Sequence, residues 1–280
     1  MKHLMGIEYG RGATAVVVND GPARGPGAVR AMYPDANWTT VVPDEYDPVL
    51  CANDRFGDCF QIQKKIVAST PLERHVMIGG DHSVNFGHFT ALANRMPDED
   101  LCLVYIDAHL DIHTPESSLA QASGAPHGTN VRALLGDGDS RWLSLQMRRP
   151  ALRPENIFYL GIRSYEPAEI DYIHSNNIFY RGANEIQTLD ATLDAIEKIK
   201  RHINSRKYVV SFDFDAIDPK YFSDVLVPEP NGISPEIALE LTRAFSPHAH
   251  SFEFVEYAPT GDVPSAQIAR TLIGTVLDVF

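Results

Sequence analysis

Three short clusters of carboxylates and imidazoles each follow an apolar run that is typical of a β-strand. They are Gly79-Gly80-Asp81-His82, Asp107-Ala108-His109-Leu110-Asp111 and Asp213-Phe214-Asp215. If the strands lie parallel in one sheet, their carboxyl ends bring the three clusters to one place. So many carboxylates cannot stay ionised together without a compensating cation. The sequence therefore predicts a metal site that holds more than one ion.

The second cluster carries the strongest signal. Asp107, His109 and Asp111 alternate along an extended chain, so their side chains project to the same side. Carboxylate oxygen suits hard divalent cations, and imidazole suits the intermediate metals. The six residues before Asp107 look fully buried, which argues against a polar strand end that merely faces water. We therefore predict that these three residues bind metal.

The other two clusters are weaker when taken alone. Asp213 and Asp215 could equally be a turn or capping pair, and we expect Asp218, ahead of a proline, to have a structural role. The pair Gly79-Gly80 allows a sharp turn into a helix.

The helix after that turn leaves a second interpretation open. Asp81 or Ser83 could cap its first turn and leave His82 on the surface. Beside the cluster that begins at Asp107, His82 becomes a candidate nitrogen ligand.

Strand-like runs alternate with helix-like segments for nearly the full length, which predicts one doubly wound α/β domain over residues 1–280. The predicted strands are His75–Ile78, 101–106, 157–160, 208–212 and 250–255, with a short apolar run at 15–18. The predicted helices are 60–67, 83–96, 167–174, Leu189–Ile203, one that opens at Ser234-Pro235, and 266–279. Segments 21–58 and 107–128 are predicted loops. In the helix from Leu189, an apolar stripe is expected at Leu189, Leu193, Ile196 and Ile199.

The bulk composition narrows the class of partner. A net charge of −13 and a pI near 5.2 argue against a nucleic-acid surface and favour cationic ligands. The three cysteines include no Cys-x-x-Cys pair, so a thiolate zinc site is not expected. Cys51 and Cys59 could pair, but the odd count favours reduced thiols and a cytoplasmic location. We expect neither a signal peptide nor a membrane span.

Taken together, these motifs resemble the ureohydrolase family of arginases, agmatinases and their relatives. The resemblance rests on Gly-Gly-Asp-His-Ser at 79–83, Asp-Ala-His-x-Asp at 107–111 and Ser-Phe-Asp-x-Asp-x-x-Asp-Pro at 211–219. Gly25-Pro26 with Arg30, and Gly57-Asp58, resemble the family's N-terminal signatures. The resemblance runs from about Gly25 to the final helix.

The resemblance implies a three-layer α/β/α fold with a mostly parallel central sheet and two Mn²⁺ ions. His82, Asp107, Asp111 and Asp213 would surround one ion, and His109, Asp107, Asp213 and Asp215 the other. A set of oxygen and nitrogen ligands without sulfur suits Mn²⁺ better than a structural zinc. Two such ions would share a water and lower its pKa, which gives a bridging hydroxide as nucleophile.

The same resemblance implies roles for residues around the metals. His127, in the loop Ser123-Gly124-Ala125-Pro126-His127-Gly128, would be the general acid/base that helps the amine leave. Glu256 would orient the planar guanidinium through paired hydrogen bonds. Asp111 would help to stabilise the tetrahedral intermediate. His113, Ser123 and Glu166 are further candidates for substrate binding.

The residues that would contact the substrate differ from the usual family pattern. Ala125 stands where arginases have an asparagine, Val227 stands where a threonine is usual, and His113 stands where arginases have an amide. Glu166 falls where arginases have an acid that receives the α-amino group, whereas His127-Gly128 leans towards agmatinase. The predicted substrate is therefore a guanidino compound of the arginine and agmatine class, which would yield urea and an amine.

Two other functions stay open. One is a formiminoglutamase-like or other amidine or amide C–N hydrolase on the same metal site, although His127-Gly128 counts against the formiminoglutamase branch. The other is a non-catalytic, metal-binding regulator, against which the intact ligand set argues. Members of the family are often trimers or hexamers, so we expect a homo-oligomer.

Overall fold

A computed structural model describes residues 3–13, 21–45, 47–119 and 123–280 of the chain, and the predicted apolar run at 15–18 lies outside these ranges. The described strands form one eight-stranded sheet in the order β2-β1-β3-β8-β7-β4-β5-β6. They are β1 (His3–Ile7), β2 (Asn37–Val41), β3 (His75–Ile78), β4 (Cys102–Ile106), β5 (Ile157–Ile162), β6 (Phe179–Gly182), β7 (Tyr208–Asp213) and β8 (Ser251–Val255). All neighbours in this sheet pair in parallel.

The strand order explains why distant parts of the sequence meet. Strands β3 and β4 are consecutive in the sequence but are not neighbours in the sheet. The later strands β8 and β7 lie between them. Residues at matching heights then share one edge, because Ile106 pairs with Phe212 and Asp213 pairs with Val255. The carboxyl ends of four adjacent strands therefore carry the predicted clusters and Glu256. This reversal of strand order is the usual place for a site in open α/β sheets.

Helices cover both faces of the sheet, which confirms the predicted three-layer fold. They are α1 (Gly25–Met32), α2 (Pro48–Asn53), α3 (Arg55–Ser69), α4 (Val84–Arg95), α5 (Asn130–Leu134), α6 (Ser140–Leu143), α7 (Pro167–Ser175), α8 (Leu189–Ile203), α9 (Pro235–Phe245) and α10 (Val263–Leu277). Buried side chains of α1, α8, α9 and α10 join one core, and those of α3, α4, α5 and α7 join the other.

Strand β4 shows how the sequence builds both cores. Val104 and Ile106 point into the first core, while Leu103 and Tyr105 point into the second. Every residue of this strand is fully buried, as the near-continuous apolar run predicted. Burial of one such aliphatic side chain contributes about 1.5–3 kcal/mol. The sheet is therefore held from both faces, and its edge is a rigid support for polar groups.

Most predicted elements lie where the sequence indicated, and the exceptions have local causes. The predicted loop at 21–58 contains α1, β2 and α2, because Pro and Gly also begin helices. In α8, Leu189 and Leu193 are 52% and 39% exposed, so the prediction that they belong to a buried apolar stripe is wrong. Ser83 precedes α4 but does not cap it with its side chain, because its hydroxyl donates to Asp81 instead. Ser234 does cap α9, by accepting from the amide of Ile237.

The turn after β3 leaves no room for a side chain at Gly80. A Cβ atom there would overlap the carbonyl oxygen of Tyr9. The same carbonyl accepts a 2.8 Å hydrogen bond from the amide of Asp81, and Gly80 O accepts one of 2.8 Å from Glu256. The close approach of these three backbone segments therefore requires glycine.

We predict that Gly80→Ala lowers the free energy of unfolding by about 1–3 kcal/mol or more, because the new methyl group forces the backbone apart. Gly27→Ala is the matched control, since Gly27 lies exposed in α1 and a Cβ there would meet nothing within 4 Å. It should be neutral or stabilising by up to about 1 kcal/mol. Chemical denaturation measures both, and equal stabilities for the two variants would contradict this view of the turn.

Candidate metal centre

His82 lies at the middle of the converging clusters. It follows the glycine turn after β3, and its ring stacks on Tyr105 at 4.5 Å between centroids. Its Nδ1 is 2.9 Å from Asp107 Oδ2, 3.0 Å from Asp213 Oδ2 and 3.4 Å from Asp111 Oδ2. Three carboxylates from two strand ends therefore surround one imidazole nitrogen in a site that is almost fully buried.

His109 forms the second half of the site. Its Nδ1 is 3.0 Å from Asp215 Oδ2 and 3.4 Å from Asp107 Oδ1. Ligand atoms of Asp107, His109 and Asp215 all lie within 4.8 Å of one another, and so do those of His82, Asp107 and Asp111. Asp107 belongs to both groups, which is the position expected of a bridging ligand. The geometry thus brings together all six residues that the sequence singled out as metal ligands.

The hydrogen bonds of the site indicate that the residues fit a cation. His82 Nδ1 and Asp107 Oδ2 are both buried and face each other, yet neither has a hydrogen-bond partner among the described residues. The backbone orients two of the carboxylates: Asp107 Oδ1 accepts from the amide of His109, and Asp213 Oδ1 accepts from the amide of Asp215. Buried atoms left without a partner carry a large desolvation cost, which a metal ion would remove.

Three of the four crowded carboxyls hold protons more tightly than free ones, namely Asp111, Asp213 and Asp215. At Asp107, burial is outweighed by the neighbouring His109 and His82, which lower its pKa. Burial and the charge of Asp107 raise the pKa of Asp111 to about 7. Burial, Asp215 and Asp107 raise the pKa of Asp213 well above its usual value. Burial alone would lower the pKa of His82, but Asp107 and Asp213 raise it well above the usual value. Without a cation, protons therefore take the place of positive charge at this site.

His127 and Glu256 lie at the wall of the same cavity, beside the metal ligands. Glu256 Oε1 accepts a 2.8 Å hydrogen bond from the amide of His82 and lies 3.8 Å from His127 Nδ1. Glu256 Oε2 has no hydrogen-bond partner among the described residues. Glu256 and Asp111 both have positive φ, 62° and 50°, a conformation that costs energy and is often found at functional sites.

Comparison with known proteins agrees with this geometry. A model of the arginase family matches residues 13–278. The chain belongs to the arginase family. It is 29% identical to the mitochondrial arginase-2 of Rattus norvegicus over 259 residues, which cover 86% of this chain and 72% of that one. It is 32% identical to the arginase of Entamoeba histolytica over 188 residues, which cover 66% of this chain and 62% of that one.

A solved structure extends the comparison to the fold. The crystal structure of the Entamoeba histolytica arginase in complex with L-ornithine superposes with a TM-score of 0.84 at 23% identity, and the match covers 99% of this chain and 98% of that one. This superposition confirms the predicted arginase-like fold. The family match and the arginase relatives confirm the predicted ureohydrolase family and the enzyme class of C–N hydrolases. Among the residues described, no helix is both long enough and apolar enough to cross a membrane.

The substrate end of this arginase-family cavity is rich in acidic groups. The cavity has a volume of about 180 Å³ and is lined by five of the six candidate metal ligands, all but Asp107, together with His113, Ser123, Glu166, Val227 and others. Glu166 accepts hydrogen bonds from Leu119 N at 2.6 Å and from Ser118 Oγ at 3.1 Å.

His113 packs against the same acidic wall, with its Nε2 3.3 Å from Glu169 Oε2 and 3.6 Å from Glu166 Oε1. The predicted substrate residues therefore do lie together, on the cavity wall, and Val227 lies there too as the sequence indicated.

Several residues that position the site were missed from the sequence. Tyr105 donates to Asp111 Oδ2 at 2.8 Å, and Asn130 donates to the same oxygen at 3.1 Å. Glu229 lies 3.7 Å from His109 Nε2 and accepts from Ser164. Tyr105 could have been found, because it lies two residues before Asp107 on one face of a strand. Asn130 and Glu229 lie in segments without periodicity, and no local signal marks them.

We predict that metal binding releases protons and weakens as the pH falls. A cation binds ionised carboxylates and neutral imidazoles, so it must displace the protons held by Asp111, Asp213, His82 and His109, whose pKa values are all raised. Below pH 7 the affinity for Mn²⁺ should fall by about tenfold per pH unit for each proton displaced. Calorimetry in buffers with different ionisation enthalpies measures the proton count. Buffer-independent heats and equal affinity at pH 6 and pH 8 would contradict this prediction.

Proposed function

We propose that this protein hydrolyses a guanidino compound to urea and an amine at a binuclear Mn²⁺ centre within one catalytic domain. The observation that carries the proposal is the meeting of His82 Nδ1 with the carboxylates of Asp107, Asp111 and Asp213 within 3.4 Å, without a hydrogen bond to Nδ1. Membership of the arginase family supports the proposal. Cytoplasmic location and homo-oligomer assembly stay predictions, as does the choice of a trimer or hexamer.

The proposed ligands divide into two overlapping sets. His82, Asp107, Asp111 and Asp213 would hold one ion, and His109, Asp107, Asp213 and Asp215 the other. When bound, two Mn²⁺ ions supply positive charge that lowers the pKa of a shared water and polarises the substrate.

Glu256 is the proposed docking point for the guanidinium. Its Oε1 is fixed by the amide of His82, so the carboxylate cannot rotate away from the centre. Its Oε2 has no hydrogen-bond partner in the part of the chain that the structure describes, and a planar guanidinium can donate to it. The carboxylate is also tied to the backbone of the sheet, because the amide of Glu256 donates to Gly80 O at 2.8 Å. A rigid acceptor of this kind orients the reacting carbon.

His127 is the proposed proton donor to the leaving amine. Burial would lower its pKa, but Glu256 and Asp111 raise it above the usual value, which favours the protonated imidazole that a proton donor requires. Backbone contacts fix the loop on both sides, since His127 N donates to Gly12 O and Asn130 Nδ2 donates to His127 O. Asp111, held by Tyr105 and Asn130, would help to stabilise the tetrahedral intermediate by accepting a hydrogen bond from it.

The acidic lining supports a cationic substrate but does not choose among cationic ones. Glu166 and Glu169 line the cavity, Glu229 lies 3.7 Å from His109 Nε2, and each of the three already accepts a hydrogen bond from the protein. Ser123, His113 and Glu166 are the proposed contacts for the part of the substrate beyond the guanidino group. Arginine, agmatine and guanidinobutyrate all carry the cationic guanidino group.

A substrate panel tests the proposed reaction. The Mn²⁺-loaded protein should release urea from at least one of arginine, agmatine and guanidinobutyrate. Release of ammonia or formamide from formiminoglutamate, without urea from any guanidino compound, would replace the proposal with the related amidine hydrolase. Stoichiometric Mn²⁺ binding without turnover of any of the four would support a metal-binding regulator.

We predict that Asp107→Ala and Asp213→Ala each lose metal and activity together. Each variant removes a ligand that both ions are proposed to share, so the Mn²⁺ content should fall from about two ions per chain to less than one. Asp171→Ala is the control, because Asp171 lies exposed on α7. Elemental analysis after dialysis measures the content. Two retained ions in both variants would show that the ligand assignment is wrong.

His127→Ala should keep its metal but turn over more slowly. Loss of a general acid typically lowers kcat by about 10²–10⁴-fold. His174→Ala, an exposed histidine on α7, controls for the substitution itself. Steady-state kinetics with Mn²⁺ content measured in parallel separates the two effects. Unchanged kcat in His127→Ala would remove this residue from the mechanism.

A further inference from the structure

A line of buried polar side chains leads away from the metal centre into the core between β3, α4, β7 and β8. His82 Nε2, the ring nitrogen that faces away from the carboxylates, is 2.9 Å from Ser211 Oγ. Ser211 donates to Glu253 Oε2 at 2.8 Å, and Asn85 donates to the same oxygen at 2.7 Å. Glu253 Oε1 makes a short hydrogen bond with His88 Nδ1. All five side chains are at most 1% exposed, and the catalytic proposal uses none of the last four.

The direction of these hydrogen bonds determines which nitrogen of His82 carries a proton. Glu253 Oε1 is engaged by His88 and Glu253 Oε2 only accepts, so Ser211 must donate its one hydroxyl hydrogen to Oε2. The oxygen of Ser211 can then only accept from His82, which places a hydrogen on Nε2. Nδ1 is left as the nitrogen that can offer a lone pair towards Asp107 and Asp213. A metal ligand requires this arrangement.

Two histidines beyond Glu253 continue the line of hydrogen bonds through the core. His75 Nδ1 is 2.8 Å from the carbonyl oxygen of Glu73, which only accepts, so this nitrogen carries a hydrogen. Burial and the neighbouring His88 lower the pKa of His75 to about 3, so His75 is neutral and its Nε2 accepts. His88 Nε2, 2.7 Å away, must donate to it.

His88 Nε2 donates to His75, and the contact between His88 Nδ1 and Glu253 Oε1 contains one hydrogen. Glu253 Oε2 therefore carries no hydrogen and accepts from both Asn85 and Ser211. Buried polar groups of this kind persist when their hydrogen bonds are satisfied, as they are here. The contact with His88 thus holds Glu253 with Oε2 as an acceptor towards Ser211.

We propose that the buried Glu253–His88 pair is a positioning device for the metal centre. The pair fixes the hydroxyl direction of Ser211, and Ser211 fixes the ring of His82 with Nδ1 towards the metal. Glu253 and His88 touch neither substrate nor metal and act only through Ser211. This inference rests on the metal-binding role proposed for His82.

The chain offers a matched pair of serines for the test. Ser211 and Ser251 lie on adjacent strands and are both fully buried. Ser251 Oγ donates to the carbonyl oxygen of His75 at 3.0 Å and lies 3.3 Å from His88 Nε2, but it makes no hydrogen bond to Ser211 or Glu253 among the contacts of the described residues. Ser251→Ala therefore removes the same hydroxyl from the same core without changing the path to His82.

The experiment measures Mn²⁺ affinity by calorimetry for the wild type, Ser211→Ala, Glu253→Gln, their double variant and Ser251→Ala. Loss of a residue that orients a metal ligand typically weakens metal binding by about 10–100-fold, and we expect this for Ser211→Ala and Glu253→Gln. The double variant should bind Mn²⁺ no more weakly than the single variant with the lower affinity, because both substitutions act through the hydroxyl of Ser211. Ser251→Ala should bind like the wild type.

A spectroscopic measurement without metal completes the test. In ¹⁵N-histidine-labelled, metal-free protein, the Nδ1 resonance of His88 should show a strong hydrogen bond to Glu253 that is weakened in Glu253→Gln. The same Nδ1 resonance in both proteins would overturn the pairing, whatever the metal data.

The outcomes separate this inference from the proposed function. Wild-type protein that binds no Mn²⁺ would overturn both. Wild-type protein that binds Mn²⁺ while Ser211→Ala and Glu253→Gln bind it equally well would overturn the positioning device alone. Additive losses in the double variant would also overturn it, because they would show that Glu253 acts independently of Ser211. If Glu253→Gln does not fold, His88→Gln takes its place in the cycle with the same expectations.

Discussion

The crowding of like charges in a buried place is the constraint on which the rest of the structure depends. Asp107, Asp111, Asp213 and Asp215 end adjacent strands of one parallel sheet and have almost no access to water. Each raises the cost of ionising its neighbours, and the raised pKa values of Asp111 and Asp213 express that cost. Protons or cations must compensate this buried negative charge, so the fold that gathers the carboxylates also creates the need for a metal ion.

The parallel sheet determines where these side chains lie. Side chains at the carboxyl ends of β3, β4, β7 and β8 are held to within a few ångströms because their strands are locked in register over two full cores. Hydrogen bonds then orient each group: Tyr105 and Asn130 hold Asp111, and Ser211 holds His82. Two residues that point into the site, Asp111 and Glu256, have a positive φ, which costs energy.

The sequence was informative where chemistry and periodicity coincide. The buried run before Asp107 and the alternation of Asp107, His109 and Asp111 predicted both a strand and the ligands at its end. Short and mixed segments were harder: β1 and β6 have no distinctive pattern, and β2 lies in a stretch rich in Pro, Gly and Asp that indicated a loop. Glu253, His88 and Glu229 could not be found, because their partners come from other strands and only the tertiary fold brings them together. The acid at Glu166 was found, but its hydrogen bonds to Ser118 and Leu119 depend on loop geometry that a sequence does not contain.

The central claim is that six side chains from three strand ends hold two manganese ions. The most direct measurement is a crystal grown with excess Mn²⁺ and recorded at a wavelength where manganese scatters anomalously. The account predicts two anomalous peaks about 3.5–4 Å apart, one beside His82 and the other beside His109, with Asp107 between them. A map without peaks at this site, or with the six side chains turned away from one another, would contradict it.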